Sequence, residues 1–330
     1  MLNVAVIGAG RIGVIHSRTV AEHPDARLVA VCDPAGAAAA DLAARFGARA
    51  CSDAPEVFDD PEVDAVVIGS PTPFHASQVL AAARAGKAVL VEKPVARDVE
   101  EARSLEAELA TFDHPPIMVG FQRRFDPSIR RAKELAESGE LGAIEQVTIV
   151  ARDPAPPPAR YVASSGGLFK DMSIHDFDEA RFFLGDIVEV FAFGQKTLPE
   201  LEDVDDFDAA MILLRSRDGG VASITNHRRC VTGYDQRLEV HGSLGSAFMD
   251  NWRETTLSVN TQTVSSARQP YLDFFLERYA DAYRNELTAF IDAVNNGTPV
   301  SPTVSDGLAA LLIAQAAGQS AATGRAVRLD

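Results

Sequence analysis

The chain has 330 residues, a length that suits two domains better than one compact core. Its 47 acidic and 31 basic residues give a net charge of −16, which argues against nucleic acids and anionic membrane surfaces as partners. No apolar run approaches the roughly 18 residues that span a bilayer, and the segment after Met1 shows no signal-peptide pattern, so we expect an unprocessed, cytoplasmic protein.

The first third of the chain alternates short apolar runs with helical stretches. Continuous apolar strands that alternate with helices are typical of a parallel sheet covered on both faces. We therefore predict an α/β fold whose first domain, residues 1–121, is a doubly wound parallel sheet. The predicted strands are 3–7, 28–32, 65–69, 88–91 and 117–119, and the predicted helices are 35–46, 75–85 and 98–110.

A glycine-rich segment, Gly8-Ala9-Gly10-Arg11-Ile12-Gly13, joins the first strand to the first helix. Its spacing is that of a dinucleotide-binding loop. Gly8 allows a tight turn, Gly10 lets the backbone approach a pyrophosphate, and Gly13 lets the helix pack closely on the strand. The helix N-terminus offers free N–H groups to the phosphates.

An acidic residue, Asp33, ends the second strand twenty residues after Gly13. Its carboxylate suits the hydroxyl groups of the adenosine ribose and would repel a 2′-phosphate. The following Pro34-Ala35-Gly36 contains no basic residue that could receive such a phosphate. The sequence therefore predicts NAD as the cofactor, in preference to NADP.

Two further segments follow strands, at the sheet edge where ligands bind in such folds. In the first, Ser70, Thr72 and His75 either line the nicotinamide half of the cofactor or simply begin a helix, and the sequence favours neither reading. In the second, Glu92 is expected beside the cofactor and Lys93 is expected to face the ligand cleft.

After about residue 121 the pattern changes to longer stretches with alternating apolar and polar residues. We predict a second, α+β domain, residues 122–330, built on a large, open and mostly antiparallel sheet of about six strands. Its final helices can pack back on the first domain. The predicted strands are 144–152, 187–195, 207–215, 220–229 and 236–249, and the predicted helices are 127–138, 167–183, 272–295 and 305–318.

Apolar residues recur at both odd and even positions in 187–193, so both faces of that strand are expected to be buried. One face can pack on helices of the same domain. We expect the other face to be covered by a second copy of the chain, so the protein is predicted to be a homo-oligomer.

Asp171, His175 and Asp178 are spaced by four and three residues, which places them on one face of the predicted helix 167–183. An imidazole that titrates near neutrality suits the removal of a hydroxyl proton during alcohol oxidation, so His175 is the candidate base. Lys93 would stabilise the developing alkoxide, Asp171 would orient His175, and Asp178 would contact other hydroxyl groups of the substrate.

A metal site is not expected. A single histidine with carboxylates suits zinc poorly. The cysteines form no CxxC pair and are expected to be reduced packing residues: Cys32, Cys51 and Cys230.

The chain resembles the Gfo/Idh/MocA oxidoreductase family along essentially its whole length. The motifs that carry the likeness are GAGRIG, SPTPFH, VEKP, VGFQRRFD, SGGLFKDMSIHDFD, CVTGYD and ERYADAY. The resemblance implies an N-terminal Rossmann domain, a C-terminal domain with an open sheet, and usually a tetramer. It also implies a catalytic triad, which falls on Lys93, Asp171 and His175.

The resemblance further implies ligand contacts and a substrate class. Gln122 lies where the family touches the nicotinamide region. Family members that oxidise inositols imply a cyclic polyol as substrate, with contacts at Asp153, Asp178, Tyr234 and Tyr283. The Pro-rich stretch ARDPAPPPARY departs from such members, which often carry a polar loop with His or Asn at this place.

Three alternatives to a polyol dehydrogenase stay open at this point. The same triad would serve a dehydrogenase of an aldose or sugar derivative. An NAD-using glycoside hydrolase would oxidise its substrate only transiently, and a non-catalytic regulator would bind the dinucleotide without turnover. Net NADH formation separates the two dehydrogenases from the other two classes.

Overall fold

The structure, a computed structural model, describes residues 1–329. The chain divides into two compact units. The first unit comprises Met1–Phe125 and Ala282–Leu311, and the second comprises Asp126–Asp281 and the chain from Leu312 onward. Within residues 1–329, no helix is both long enough and apolar enough to cross a membrane.

The first unit is built on a six-stranded, wholly parallel sheet in the order β3-β2-β1-β4-β5-β6. The predicted doubly wound sheet is thus confirmed, and the short strand β3 is an addition. The strands are β1 (Leu2–Ile7), β2 (Ala26–Cys32), β3 (Arg49–Cys51), β4 (Ala65–Ile68), β5 (Ala88–Glu92) and β6 (Ile117–Gly120). The helices between them are α1 (Arg11–Glu22), α2 (Gly36–Phe46), α3 (Ala54–Phe58), α4 (His75–Arg84) and α5 (Val99–Leu109).

Helix α11 (Ala280–Asn296), near the end of the chain, completes the core of the first unit. Its Leu287, Phe290 and Ile291 are buried in the same apolar cluster as the strands β1 and β2. This packing brings Ala282–Leu311 into the unit that holds the glycine-rich loop.

The second unit is built on a seven-stranded sheet in the order β12-β11-β7-β10-β9-β8-β15. Only β7 and β10 pair in parallel, so the mostly antiparallel prediction is confirmed. The strands are β7 (Ile144–Arg152), β8 (Ile187–Gln195), β9 (Ala209–Ser216), β10 (Val221–His227), β11 (Asp235–Gly242), β12 (Ser246–Met249) and β15 (Val327–Arg328). The other elements are the ribbon of β13 (Ser258–Val259) and β14 (Ala267–Arg268), and the helices α6 (Pro127–Glu137), α7 (Ala159–Val162), α8 (Leu168–Asp171), α9 (Ile174–Leu184), α10 (Phe275–Arg278) and α12 (Val304–Thr323).

The second sheet has more strands than predicted for two reasons. The stretch 236–249 is a hairpin of two strands, because the chain turns between Gly242 and Ser246. The short strand β15 then adds an edge beside β8.

The two faces of the second sheet differ in exposure. One face packs on helices through alternating residues such as Val190, Ile212 and Leu238, all of which are buried. The opposite face leaves large apolar side chains open on the neighbouring strands β8 and β9, with exposed fractions of 60% for Phe193, 61% for Met211 and 56% for Leu213. Phe248, on the edge strand β12 at the other end of the sheet, is 66% exposed.

The single helix predicted for 167–183 is wrong, because the chain forms α8 and then α9 with a break at Met172-Ser173. The buried Ser173 hydroxyl donates to the side-chain oxygen of Asn226 on β10 at 2.6 Å. Serine competes with regular helix formation by such hydrogen bonds. The predicted helix 272–295 is likewise two helices, α10 and α11, separated at Tyr279.

Candidate active site

The glycine-rich loop follows β1 and leads into the N-terminus of α1. A Cβ atom on Gly13 would lie 1.8 Å from the carbonyl oxygen of Gly8, so only glycine allows this approach of helix to strand. Gly8 has a φ of +102°, which favours glycine, and a Cβ there would meet Gly69 O at 2.5 Å. A Cβ on Gly10, in contrast, would meet no atom within 4 Å, which leaves open space before the helix.

The N-terminus of α1 suits an anionic ligand. Gly10 makes no side-chain cap, and the first turn, which begins Arg11-Ile12-Gly13, contains no acidic residue. The free N–H groups and partial positive charge of a helix N-terminus favour phosphate groups at this position. The loop, the uncapped helix and the open space therefore fit the pyrophosphate of a dinucleotide.

Asp33 lies directly after β2 and is tied to the same loop. One carboxylate oxygen accepts the backbone N–H of Ala9 at 2.7 Å, and the other accepts that of Ala35 at 2.8 Å. The carboxylate is therefore fixed in orientation beside the glycine-rich loop. Asp33 both shapes the loop and presents negative charge there.

The segment after β4 supports the structural reading of His75. This residue is 1% exposed, and its two ring nitrogens lie 2.7 Å from the carbonyl oxygens of Pro94 and Ser70. Its imidazole thus joins the ends of β4 and β5, which supports a structural role for His75, while its contact with the nicotinamide stays a prediction. The Ser70 hydroxyl donates to Gln78 at 2.6 Å, and Thr72 begins a 3₁₀ turn.

The end of β5 contains a buried ionisable pair. Oε1 of Glu92 lies 2.8 Å from Nε2 of His16 on α1, and both side chains are at least nine-tenths buried. This pairing engages one carboxylate oxygen of Glu92 with His16, and the expected contact of Glu92 with the cofactor stays a prediction. The next residue, Lys93, is only partly buried.

A second buried acid lies close to this pair. Glu286 on α11 is fully buried, and neither of its carboxylate oxygens has a hydrogen-bond partner among residues 1–329. Burial, and then the negative charge of Glu92, raise the pKa of Glu286 well above its ordinary value. Tyr283, predicted from the resemblance to contact substrate, is 3% exposed and packs edge-on against His16 with ring centroids 5.7 Å apart.

Gln122 begins a 3₁₀ turn directly after β6. Its side chain is buried, and its amide oxygen has no protein partner in the part of the chain that the structure describes. A buried acceptor without a partner is unfavourable unless a ligand or water supplies a donor. This oxygen therefore fits an amide-bearing ligand such as nicotinamide, in agreement with the other features of the loop.

The other predicted catalytic residues belong to the second unit. Asp171 ends α8, and His175 lies in the first turn of α9. The Asp171 carboxylate accepts hydrogen bonds from the Tyr161 hydroxyl at 2.9 Å and from Nη1 of Arg228 at 3.1 Å. Asp178, one turn after His175, is 1% exposed.

A polar network anchors the start of α9, where His175 lies. Asn226 on β10 accepts from the Ser173 hydroxyl and donates to Asp176 Oδ2 at 2.7 Å. All three side chains are at least 99% buried. Because Ser173 and Asp176 flank His175 in the sequence, this network fixes the backbone that carries the imidazole.

The remaining predicted contacts lie elsewhere in the second unit. Asp153 follows β7, and its backbone N–H donates to His227 O at 2.9 Å. Tyr234 is 6% exposed and makes edge-on contacts with Phe274 and Tyr279. No group of three or more His, Cys, Asp or Glu side chains suited to a metal occurs in residues 1–329.

Several residues around the candidate site were not found from the sequence. His16 follows the glycine-rich loop by one helical turn, which was its only local signal. Asn226 and Arg228 carry no local pattern because their partners are distant in the chain, and Glu286 carries none because it is buried without a hydrogen-bond partner among the described residues. All three side chains are buried, and each carries either an ionisable group or an amide group.

Two family models match the chain. One, described as "Oxidoreductase family, NAD-binding Rossmann fold", covers residues 2–121. The other, described as "GFO/IDH/MocA C-terminal domain", covers residues 129–248.

Curated proteins and solved structures resemble the chain over nearly its whole length. An inositol 2-dehydrogenase of Rhizobium meliloti (strain 1021) is 42% identical over 98% of both chains. A crystal structure of a myo-inositol dehydrogenase from Corynebacterium glutamicum has a TM-score of 0.96 and 41% identity, covering 100% of this chain and 99% of the other. A scyllo-inositol dehydrogenase from Lactobacillus casei, solved with bound NAD(H) and scyllo-inositol, has a TM-score of 0.90 and 30% identity over 99% of both chains.

The raised pKa of Glu286 predicts a pH-dependent loss of stability. Below the ordinary pKa of 4.5, the carboxyl group is protonated in both the folded and the unfolded chain. Above it, only the unfolded chain releases the proton, so the free energy of unfolding falls by up to about 1.4 kcal/mol per pH unit until Glu286 ionises in the folded state. Glu286→Gln should therefore be more stable than wild type at pH 8 and not at pH 4, as measured by urea unfolding.

The matched control is Asp292→Asn, an exposed acid on the same helix. It should leave the pH dependence of unfolding unchanged. An equal pH dependence in wild type and Glu286→Gln would show that Glu286 is ionised in the folded protein.

The position of Asp33 predicts its effect on cofactor choice. Asp33→Asn removes the charge that repels a 2′-phosphate and weakens one of two hydrogen bonds to the loop. We expect kcat/KM for NAD to fall by about tenfold, equivalent to about 1.4 kcal/mol, with a smaller loss for NADP. The measurement is the ratio of kcat/KM for NAD to kcat/KM for NADP. The control is Asp41→Asn on α2, which should leave this ratio unchanged. An unchanged ratio in Asp33→Asn would show that Asp33 does not select the cofactor.

Proposed function

Because the chain belongs to the Gfo/Idh/MocA oxidoreductase family, we propose that it oxidises a secondary alcohol of an inositol with NAD as the hydride acceptor. The observation that carries the proposal is the 42% identity to an inositol 2-dehydrogenase over 98% of both chains. The glycine-rich loop, Asp33 and the unpartnered Gln122 oxygen support the choice of NAD. The similar structures are named for both myo- and scyllo-inositol, so either isomer is a candidate.

The proposed chemistry assigns one task to each of three side chains. NAD, when bound, accepts a hydride from the alcohol carbon. His175 takes the proton of the substrate hydroxyl, and the ammonium of Lys93 stabilises the negative charge that develops on that oxygen. Asp171 orients His175 and stabilises its charged form.

The substrate's remaining hydroxyl groups need paired donors and acceptors. We propose that Asp153, Asp178, Tyr234 and Tyr283 supply them, as the family resemblance implies. Carboxylates and phenols suit this task because both bind hydroxyl groups with defined geometry. A site built from such groups discriminates strongly against a substrate that lacks a hydroxyl.

We also propose that the open face of the second sheet binds a second copy of the chain and that the assembly is a tetramer. Phe193, Met211 and Leu213 form an apolar surface on the paired strands β8 and β9 that would otherwise meet water. Apolar patches of this kind mark protein interfaces more often than free surface. The rings of Phe191 and Phe193 stack edge-on across this face at 4.8 Å.

The test of the function is NADH formation with myo-inositol, scyllo-inositol, chiro-inositol, glucose, xylose and galactose. We expect strong NAD reduction with at least one inositol. Lys93→Met should lower kcat by about 10²- to 10³-fold, as the loss of one group that stabilises an oxyanion does, with calorimetric NAD binding retained.

The control for Lys93 is Lys87→Met. Lys87 precedes β5, at its opposite end, and donates to the carbonyl oxygens of Asp60 and Val63 at 2.7 and 2.8 Å. This variant should lower Tm without lowering kcat. Turnover of aldoses alone would support the sugar-dehydrogenase alternative, and loss of NAD binding in Lys93→Met would assign that lysine a structural role.

The proposed interface predicts the effect of a charge on the open face. Leu213→Glu should reduce the mass measured by light scattering to a fraction of the wild-type value, because the carboxylate would be buried in the interface. The circular dichroism spectrum should not change. Leu244→Glu, in the exposed turn between β11 and β12, is the control, and a wild-type mass for Leu213→Glu would contradict this interface.

A further inference from the structure

A buried arginine contacts the aspartate to which the proposed function gives a catalytic task. Arg228 follows β10 and is 1% exposed. Its Nη1 donates to Asp171 Oδ2 at 3.1 Å, while the Tyr161 hydroxyl donates to Asp171 Oδ1 at 2.9 Å. Each carboxylate oxygen of Asp171 therefore has its own donor.

The same guanidinium faces a second carboxylate. Nη2 of Arg228 lies 3.7 Å from Oδ2 of Asp206. Asp206 accepts the backbone N–H of Leu168, the first residue of α8, at 2.9 Å. Arg228 and Asp206 thus hold the two ends of the four-residue helix that Asp171 closes.

The approach of Asp206 to this helix requires a glycine. Gly167 has a φ of +88°, and a Cβ there would lie 2.9 Å from Asp206 Oδ1. A helix of four residues is not stable on its own. The position of Asp171 therefore depends on contacts from Asp206 and Arg228 rather than on helix propensity.

The burial of a guanidinium is unfavourable unless carboxylates offset it. Here the cation is placed against the carboxylate that the proposed function gives the task of orienting His175. A hydrogen bond from a charged donor restricts the orientation of a carboxylate. This restriction would be transmitted to His175 through Asp171.

We propose that Arg228 is a positioning residue for the reaction: it holds the Asp171 carboxylate in one orientation, so that Asp171 can orient His175. This inference rests on the proposed roles of Asp171 and His175. Arg228 acts only through Asp171, and Tyr161 assists by holding the second carboxylate oxygen.

Arg228→Met keeps an unbranched, largely apolar chain and removes the guanidinium group with its charge. We expect kcat with myo-inositol to fall by about 10²-fold, within the range for a misaligned acid–base group. Calorimetric binding of NAD should be unchanged, and KM should move far less than kcat. The deuterium isotope effect with C-deuterated myo-inositol should rise, since hydride transfer becomes slower relative to the other steps.

Two further variants separate positioning from a purely structural role. Arg228→Lys keeps the positive charge but lacks the planar guanidinium group, so it should recover part of the kcat that Arg228→Met loses. It also keeps the proposal testable if Arg228→Met does not fold. Arg217→Met removes an exposed arginine that pairs with Asp186 at 3.7 Å, and this control should behave as wild type.

A double-mutant cycle with Asp171→Asn decides the inference. If Arg228 acts through Asp171, the double variant should be as slow as Asp171→Asn alone. Losses that multiply in the double variant would overturn the proposal. So would a folded Arg228→Met or Arg228→Lys with wild-type kcat and isotope effect, provided that Asp171→Asn is slow.

The outcome also distinguishes this inference from the proposed function. A fully active Asp171→Asn would refute the assignment of the catalytic residues, and the inference with it. A slow Asp171→Asn beside a fast Arg228→Met would refute the inference alone.

Discussion

The close packing of α1 on β1 is the constraint on which the first unit depends. Gly13 allows the helix to approach the carbonyl oxygen of Gly8, where any larger residue would collide. One turn later, the same buried face of α1 presents His16, which reaches Glu92 at the end of β5. The helix whose N-terminus suits a pyrophosphate therefore also fixes the strand end that precedes Lys93, so a shift of α1 would disturb both.

A common principle applies to the proposed catalytic residues. Each lies next to a buried polar contact that holds its backbone or its partner. The His16–Glu92 pair lies beside Lys93, the Ser173–Asn226–Asp176 network flanks His175, and Arg228 holds Asp171. Buried hydrogen bonds of this kind restrict a structure to one arrangement, because any alternative would leave these buried polar atoms without partners. Such support is what a site needs when its groups have to act with defined geometry.

The sequence predicted the elements more accurately than the contacts between them. The strands of both sheets follow from short apolar runs and alternating patterns, and the glycine-rich loop follows from its spacing. The break between α8 and α9 could not be predicted, since it depends on Asn226, which is 53 residues from Ser173. The protein contacts of His75 and Glu92 could not be predicted for the same reason: the carbonyl of Pro94 is 19 residues from His75, and His16 is 76 residues from Glu92.

The charge of the chain explains why the candidate site uses backbone groups for its anionic ligand. A protein with a net charge of −16 repels phosphates at long range. Attraction therefore has to be local, and the first turn of α1 supplies it with free N–H groups and without any acidic side chain. Asp33 then adds a negative charge beside that turn, held by Ala9 and Ala35. With the dinucleotide bound as proposed, fixed dipoles would attract the pyrophosphate, while a further phosphate on the ribose would meet a fixed carboxylate, so the same few residues would both bind the dinucleotide and select between its two forms.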